Sequence, residues 1–250
     1  MKPTLSKSKR FAASVRTLLF LCAFLFSADL GVAAEEAADA LKQRVLAQAR
    51  KVSADDFAWT RTVRTEESDG SKTEQHVVVE KYDPAKPADQ RWTFVSKDGR
   101  PPTAEEETKY RNGLPTRRVP NYGRVAEYFG APATSALDKQ GRTVLSFATL
   151  PKGSLLINDA DISANSTAQS TIDASGEVPF VEQTRFTSTK PTRVKLVAKI
   201  ERMEARAHYR MMPNGKPVPA ESVTDMTGSM MGKSGRIHTV ATFSEQRAVR

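Results

Sequence analysis

The sequence predicts a mainly β (α+β) domain built on a curved antiparallel sheet that a few helices interrupt. Three observations carry this. Segments rich in β-branched and aromatic residues recur between turn signals at 57–66, 74–84, 90–99, 141–151, 166–188 and 235–247. The long stretch RVKLVAKIERMEARAHYR (193–210) alternates Val194, Leu196, Ala198 and Ile200 against Arg193, Lys195 and Lys199. It then resumes in the opposite phase after Glu201-Arg202, with Met203, Ala205, Ala207 and Tyr209 on the apolar side. An extra residue that shifts the phase and bends the strand is a β-bulge, and long bulged strands belong to strongly curved sheets. Lastly, turn signals such as SDGSK and Pro213-Asn214-Gly215 join successive strands as hairpins, and two short helices interrupt the sheet.

In chain order, residues 1–34 read as a cleaved signal peptide. Lys2, Lys7, Lys9, Arg10 and Arg16 form a basic start, Leu18 to Phe26 an apolar run short for a membrane span, and Val32-Ala33-Ala34 a small-residue cleavage site. Cys22 lies inside the apolar run as an ordinary member of it. Cleavage leaves residues 35–250 as one domain, long enough to bury a core. Five cations and one anion leave with the leader, lowering the formal charge from +9 to +5. The remaining basicity suits contact with an anionic membrane surface, and export argues against nucleic acid as a partner. The part after residue 34 has no cysteine and no disulfide, and the periplasm of a bacterial envelope is the compartment this implies.

Residues 36–51 place Leu41, Val45 and Ala49 at helical spacing, with acidic residues early and cations late. FAWTRTVRTE (57–66) sets Phe57, Trp59 and Val63 on one side of a strand, interrupted by Arg61. EQHVVVEKYDP (74–84) and QRWTFVSKDG (90–99) continue a meander, with SDGSK (68–72) as the first hairpin connection. PPTAEEETKYRNG (101–113) is a helix with Thr103 and Glu106 as a capping box and Gly113 as its stop. NYGRVAEYFG (121–130) predicts a second short helix, capped by Asn121 and ended by Gly130. GRTVLSFATLP (141–151) is a strand, and STAQSTIDASGEVPFVEQTRFTS (166–188) is two strands about the turn Asp173-Ala174-Ser175-Gly176. Pro213-Asn214-Gly215 turns the chain into VPAESVTDMTG, and RIHTVATFSEQR closes the meander.

Motifs for chemistry are weak. GSMMGKSG (228–235) has three residues between its glycines where a phosphate-binding loop has four, and a strand follows instead of a helix. It reads as a hairpin, with Met226, Met230 and Met231 as an adaptable apolar rim. His76, His208 and His238 have no His, Cys or carboxylate at ligand spacing, so no metal is expected. There is no G-x-S-x-G elbow and no cysteine nucleophile in the exported part. The expectation is a protein without catalytic residues or cofactor, not an enzyme.

The order of leader, amphipathic helix, meander, helical insertion and long strands ending in RIHTVATFSEQR resembles the periplasmic lipoprotein-carrier superfamily, the LolA/LolB-like proteins. RWTFVSKDGRPPTAEEETKYRN and STIDASGEVPFVEQTRF look like segments of its uncharacterised envelope branches. The resemblance is one of pattern over residues 36–247. It implies a half-open barrel lidded by helices, with an apolar hollow for acyl chains and a role in outer-membrane lipoprotein or lipid transport. Trp59, Trp92, Phe94, Leu145, Phe147, Ile200 and Met203 are the candidate ligand-binding wall, with Tyr128 and Phe129 from the lid side. The superfamily latches its lid with polar residues, none of which matches a position in this sequence. A monomer that binds a lipid or acylated ligand is the first expectation; an interaction or sensor domain that recognises an envelope protein partner is the second.

Overall fold

Alternation at 57–68 and 73–82 becomes an antiparallel hairpin that anchors one half of a large sheet in the computed structural model, which describes residues 36–157, 160–194 and 198–249. The leader expected at 1–34 lies outside the described residues. The chain divides into two compact units, residues 1–42 and 43–250. Residues 36–50 are helical (α1), of which 43–50 belong to the second unit.

The strands of the second unit are β1 (Phe57–Ser68), β2 (Thr73–Tyr82), β3 (Trp92–Lys97), β4 (Thr134–Leu137), β5 (Thr143–Phe147), β6 (Leu156–Ile157), β7 (Ala160–Asp161), β8 (Ser166–Asp173), β9 (Phe180–Ser188), β10 (Thr192–Val194), β11 (Ala198–Met211), β12 (Pro217–Met230) and β13 (Lys233–Ala248). Eleven of them form one sheet in the order β3-β2-β1-β13-β12-β11-β9-β8-β5-β4, with β10 paired to the start of β11. The neighbours are antiparallel, and β3 and β4 are its two unjoined ends, so the sheet curves without closing. The small hairpin β6–β7 stands apart from this sheet.

Bulges keep the apolar side chains on one face. Glu201 is the extra residue where β11 passes from the Ile200–Gly228 pair to the Arg202–Thr227 pair. Val95 on β3, Glu182 on β9 and Ala220 on β12 play the same part in their ladders. Between Ala58 and Thr60 of β1 the partner strand β13 carries the surplus, and there Glu245 has a φ of 51°. Each insertion reverses the phase of the strand that carries it, and each adds local bend. The bulge read at Glu201-Arg202 is therefore present. The single strand expected over 193–210 is corrected. Residues 192–194 fold back as β10 onto Ala198–Ile200, taking the place beside β11 that β9 vacates beyond Thr187. Lys195, Leu196 and Val197 lie outside the described residues.

Helical segments cover one face of this sheet. α2 (Ala104–Asn112) has the expected capping box: Thr103 Oγ1 accepts from Glu106 N–H, and the Glu106 carboxylate accepts from Thr103 N–H at 2.9 Å. The second expected helix is a 3₁₀ turn, Tyr122–Val125, continued by one α turn, α3 (Ala126–Phe129). Its expected cap is corrected: the Asn121 amide donates to Val119 O and caps nothing, because the tighter 3₁₀ start turns it backward. Tyr122, Val125, Tyr128 and Phe129 are buried with Leu145, Phe147, Ile172 and Val181. A second apolar cluster packs Ile162, Ile200 and Met203 against Leu155, Ile157 and Phe186, so the unforeseen β6–β7 hairpin has a core of its own to cover.

Gly123 is where the cover meets the backbone of Ala49 and Val52. A Cβ there would run into Val52 O and lie 2.8 Å from Asn121 Oδ1, with Ala49 O behind them. Gly130 has open space around it and an ordinary negative φ of −74°. Accordingly, Gly123→Ala is expected to destabilise the domain by about 2 kcal/mol through overpacking against fixed backbone. Gly130→Ala is expected to be neutral or to stabilise by about 0.5 kcal/mol through the unfolded chain. Urea unfolding of the two variants checks the contrast.

Candidate functional site

Register and phase together define the covered, inner face of the sheet as rows running across strands. One row reads Leu145, Ser170, Thr184, Ala207, Ser222, Ala241, Val63 and Val78. The next, toward the hairpin tips, reads Phe147, Ala168, Phe186, Ala205, Thr224, Thr239, Thr65 and His76. Over β5, β8 and β9 these rows are filled from above: Tyr128 packs edge-on against Phe147 and Phe186, and its hydroxyl lies 2.6 Å from Thr184 Oγ1 and 3.2 Å from Ser170 Oγ. Over β11, β12, β13, β1 and β2 the side chains, His76 excepted, are small or β-branched, and all but Ala241 are half-exposed. This is a shallow floor between higher walls.

One wall is the row before it, where Phe243, Arg61 and Glu80 stand side by side on β13, β1 and β2. Glu80 is 1% exposed. Its Oε1 accepts from Arg61 Nε at 2.7 Å and from Arg61 Nη2; its Oε2 accepts from Tyr110 O–H at 2.8 Å and from Arg117 Nη1. The two guanidinium groups also lie over Trp92, Arg61 at 5.9 Å and Arg117 at 5.1 Å from the ring centre. Arg117 stacks on Tyr110 as well, and Tyr110 on Phe94. A buried carboxylate needs partners for its charge and lone pairs, and here two cations and a phenol supply them. Because Tyr110 and Arg117 come from α2 and the turn after it, Glu80 ties the helical cover to the sheet. Glu106 makes a second tie: Arg100 donates to both of its oxygens at 2.8 Å, and Lys97 of β3 lies 3.1 Å away.

The sequence missed this cluster, although one signal was present. Arg61 interrupts the apolar side of β1, and Glu80 follows three valines on β2; each charge falls on the face that the pattern assigns to the core.

The expected wall residues fall into three groups. Trp59 and Trp92 join Tyr82 and Phe243 in an aromatic cluster with ring centres about 5 Å apart, and Phe94 lies beside it on Tyr110. Tyr128, Phe129, Leu145 and Phe147 pack together under α3, each 0–3% exposed. Ile200 and Met203 belong to the cluster under β6–β7. The fold thus brings Trp92 and Phe94, both half-buried, to the edge of the floor. The other seven lie in packed interior, where they shape the walls.

Other features lie elsewhere. A groove of about 610 Å³ on the opposite face is edged by Thr134, Ser146, Thr167, Gln169 and Arg185. Met230 and Met231 are 64% and 79% exposed at the β12–β13 turn, while Met226 sits on the inner face. Strand register brings Asp98 within 3.3 Å of His76 Nδ1 and Asp225 within 3.4 Å of His238 Nδ1. No group of three potential metal ligands occurs among the described residues, and no helix there is long and apolar enough to cross a membrane.

A bulged, open antiparallel sheet under a helical cover is the half-open barrel class. Comparison with solved structures finds likeness to a LolA superfamily protein from Nitrosomonas europaea, at 10% identity and a TM-score of 0.35, over 84% of this chain and 92% of that one. It also finds a DUF1329 family protein from Desulfovibrio piger, at 12% identity and a TM-score of 0.36, over 86% and 92%. No family model and no curated protein matches the chain.

Breaking the tie at Glu80 has a size. Glu80→Ala leaves Arg61 and Arg117 facing each other without their anion. The expected loss of unfolding free energy is about 3 kcal/mol, at the low end for a buried pair because both arginines keep some water contact. Arg185→Ala, which removes an exposed partner of Glu204, is expected to cost less than about 1 kcal/mol. Chemical denaturation measures both.

Burial also raises the tyrosines. Desolvation pushes Tyr128 to about 12 and moves Tyr82, Tyr110, Tyr122 and Tyr209 upward too, with Glu80 adding to the effect at Tyr110. These are all five tyrosines of the chain. A raised folded value means stability that is complete below the ordinary tyrosine value of about 10 and is lost as pH climbs toward the folded value. Tyrosinate absorbance is therefore expected to stay low past pH ~10 and to appear together with loss of near-ultraviolet circular dichroism. Separate transitions would contradict it.

Proposed function

We propose that this chain is an exported bacterial envelope protein that binds a lipid, an acylated protein or another apolar ligand on the inner face of its half-barrel, without catalysis. The observation that carries this is the floor Ala207–Ser222–Ala241–Val63–Val78, small side chains half-open to solvent between filled walls. A fold with no ligand to hold would place large side chains there, since protein interiors pack to crystal-like density. Small residues leave volume for a chain instead. Each methylene removed from water contributes about 0.8 kcal/mol, so a dozen carbons supply on the order of 10 kcal/mol before ordering costs. The basic leader supports export to the periplasm, and transport of lipid or lipoprotein toward the outer membrane is the role such binding would serve.

A second reading is an interaction module for an envelope protein, favoured by the outer edge of β4, which no strand among the described residues covers and whose residues are all exposed. Adjacent residues on β12 separate the two. Ser222 faces the floor and Val223 the opposite surface. Fluorescence of N-phenyl-1-naphthylamine is expected to rise on binding to the purified protein. Ser222→Phe is expected to weaken that binding by about tenfold, near 1.4 kcal/mol, and Val223→Phe to leave it unchanged. No uptake by the folded wild type favours the interaction module.

A further inference from the structure

We infer that the ligand is an amphiphile with an anionic head, a carboxylate or phosphate, held by Arg61 and Arg117 in the wall beside the floor. This rests on the apolar-binding reading and goes beyond it by naming the head group. The argument begins with charge. Within the cluster two guanidinium groups share one carboxylate, and the remaining partners, Tyr110, Trp92, Trp59 and Phe94, carry no charge. Among the described residues, a half-buried place thus keeps one unit of positive charge without a second carboxylate beside it. Maintaining an uncompensated charge away from bulk water costs free energy. Trp92 offsets part of that cost through its ring face, but a ring carries no countercharge.

Position gives the second strand of the argument. Arg61 and Val63 are alternate residues of β1, and Glu80 and Val78 of β2, so the cluster borders the floor on the same face. The side chains of Arg61 and Arg117 are 19% and 28% exposed, against 2% for Glu80. The anion is sealed and the cations are reachable. A chain lying along Val63, Ala241 and Ser222 runs beside these guanidinium groups, within reach of its head, and they suit the two oxygens of a carboxylate or phosphate in fork geometry.

Competition with N-phenyl-1-naphthylamine tests this in mildly alkaline buffer, using dodecanoate, dodecanol and inorganic phosphate as separate competitors on the whole protein. Dodecanoate is expected to bind about tenfold more tightly than dodecanol, the worth of one charge-assisted contact. Added sodium chloride is expected to weaken dodecanoate and leave dodecanol unaffected. Arg117→Met is expected to abolish the preference, while Arg185→Met, the same charge change on the opposite face, preserves it. The salt arm needs no variant, so it decides the matter even where Arg117→Met does not fold. Equal binding of acid and alcohol by the wild type overturns the head-group assignment alone. Displacement of dodecanoate by inorganic phosphate at comparable concentration also overturns it, since the site would then take the free anion. Failure of both amphiphiles to bind overturns this inference together with the reading beneath it.

Discussion

A carboxylate taken out of water must be matched, and much of this molecule is arranged around that requirement at Glu80. Its nearest partner is supplied by the neighbouring strand: cross-strand register puts Arg61 directly opposite. Two lone-pair positions remain, and the chain fills them from the helical insertion with Tyr110 and Arg117. The helix α2, none of whose residues is buried, is thereby held at one place on the sheet. Polar matching substitutes for hydrophobic area, and it is directional where burial is not. The same choice leaves positive charge at the border of the open floor.

The sheet solves a different problem. Strands of up to 16 residues cannot follow a tight curve with unbroken alternation, because twist and bend accumulate along them. Extra residues at Val95, Glu182, Glu201 and Ala220 absorb the bend and restore phase. The inner face therefore stays consistent from β5 to β2. Gly228 shows how close the strands come at one of these points: a Cβ there would collide with the backbone of Lys199 and Ile200 beside the Glu201 bulge. Large side chains then fill the inner face at both ends, and small ones remain in the middle. The open floor follows from side-chain size along one row.

Legibility followed the range of the interactions. Turn chemistry and alternation marked β1, β2, β3, β5, β8, β9 and most of β11 to β13, since these patterns repeat every two residues. The capping box of α2 was readable because its partners are three residues apart. The exposed edge strand β4 and the two-residue strands β6 and β7 left no periodic trace; they form because neighbours offer them backbone partners. Asn121 is a good capping residue by type, yet a 3₁₀ start uses it otherwise. Among the expected wall residues, aromatic character was visible, but not that Tyr128, Phe129, Leu145 and Phe147 would fill the space between them.

The sequence by itself determined a curved antiparallel sheet, the bulge at Glu201 and the helical cover, because local propensity and short-period patterning encode them. Tertiary structure alone decided that Arg61, Glu80, Tyr110 and Arg117 meet, and that Ala207, Ser222, Ala241, Val63 and Val78 line up as one floor. Those groupings join residues far apart in the chain. They exist only once strand register and bulges have set which side chains stand opposite one another, and no spacing in the linear sequence records that.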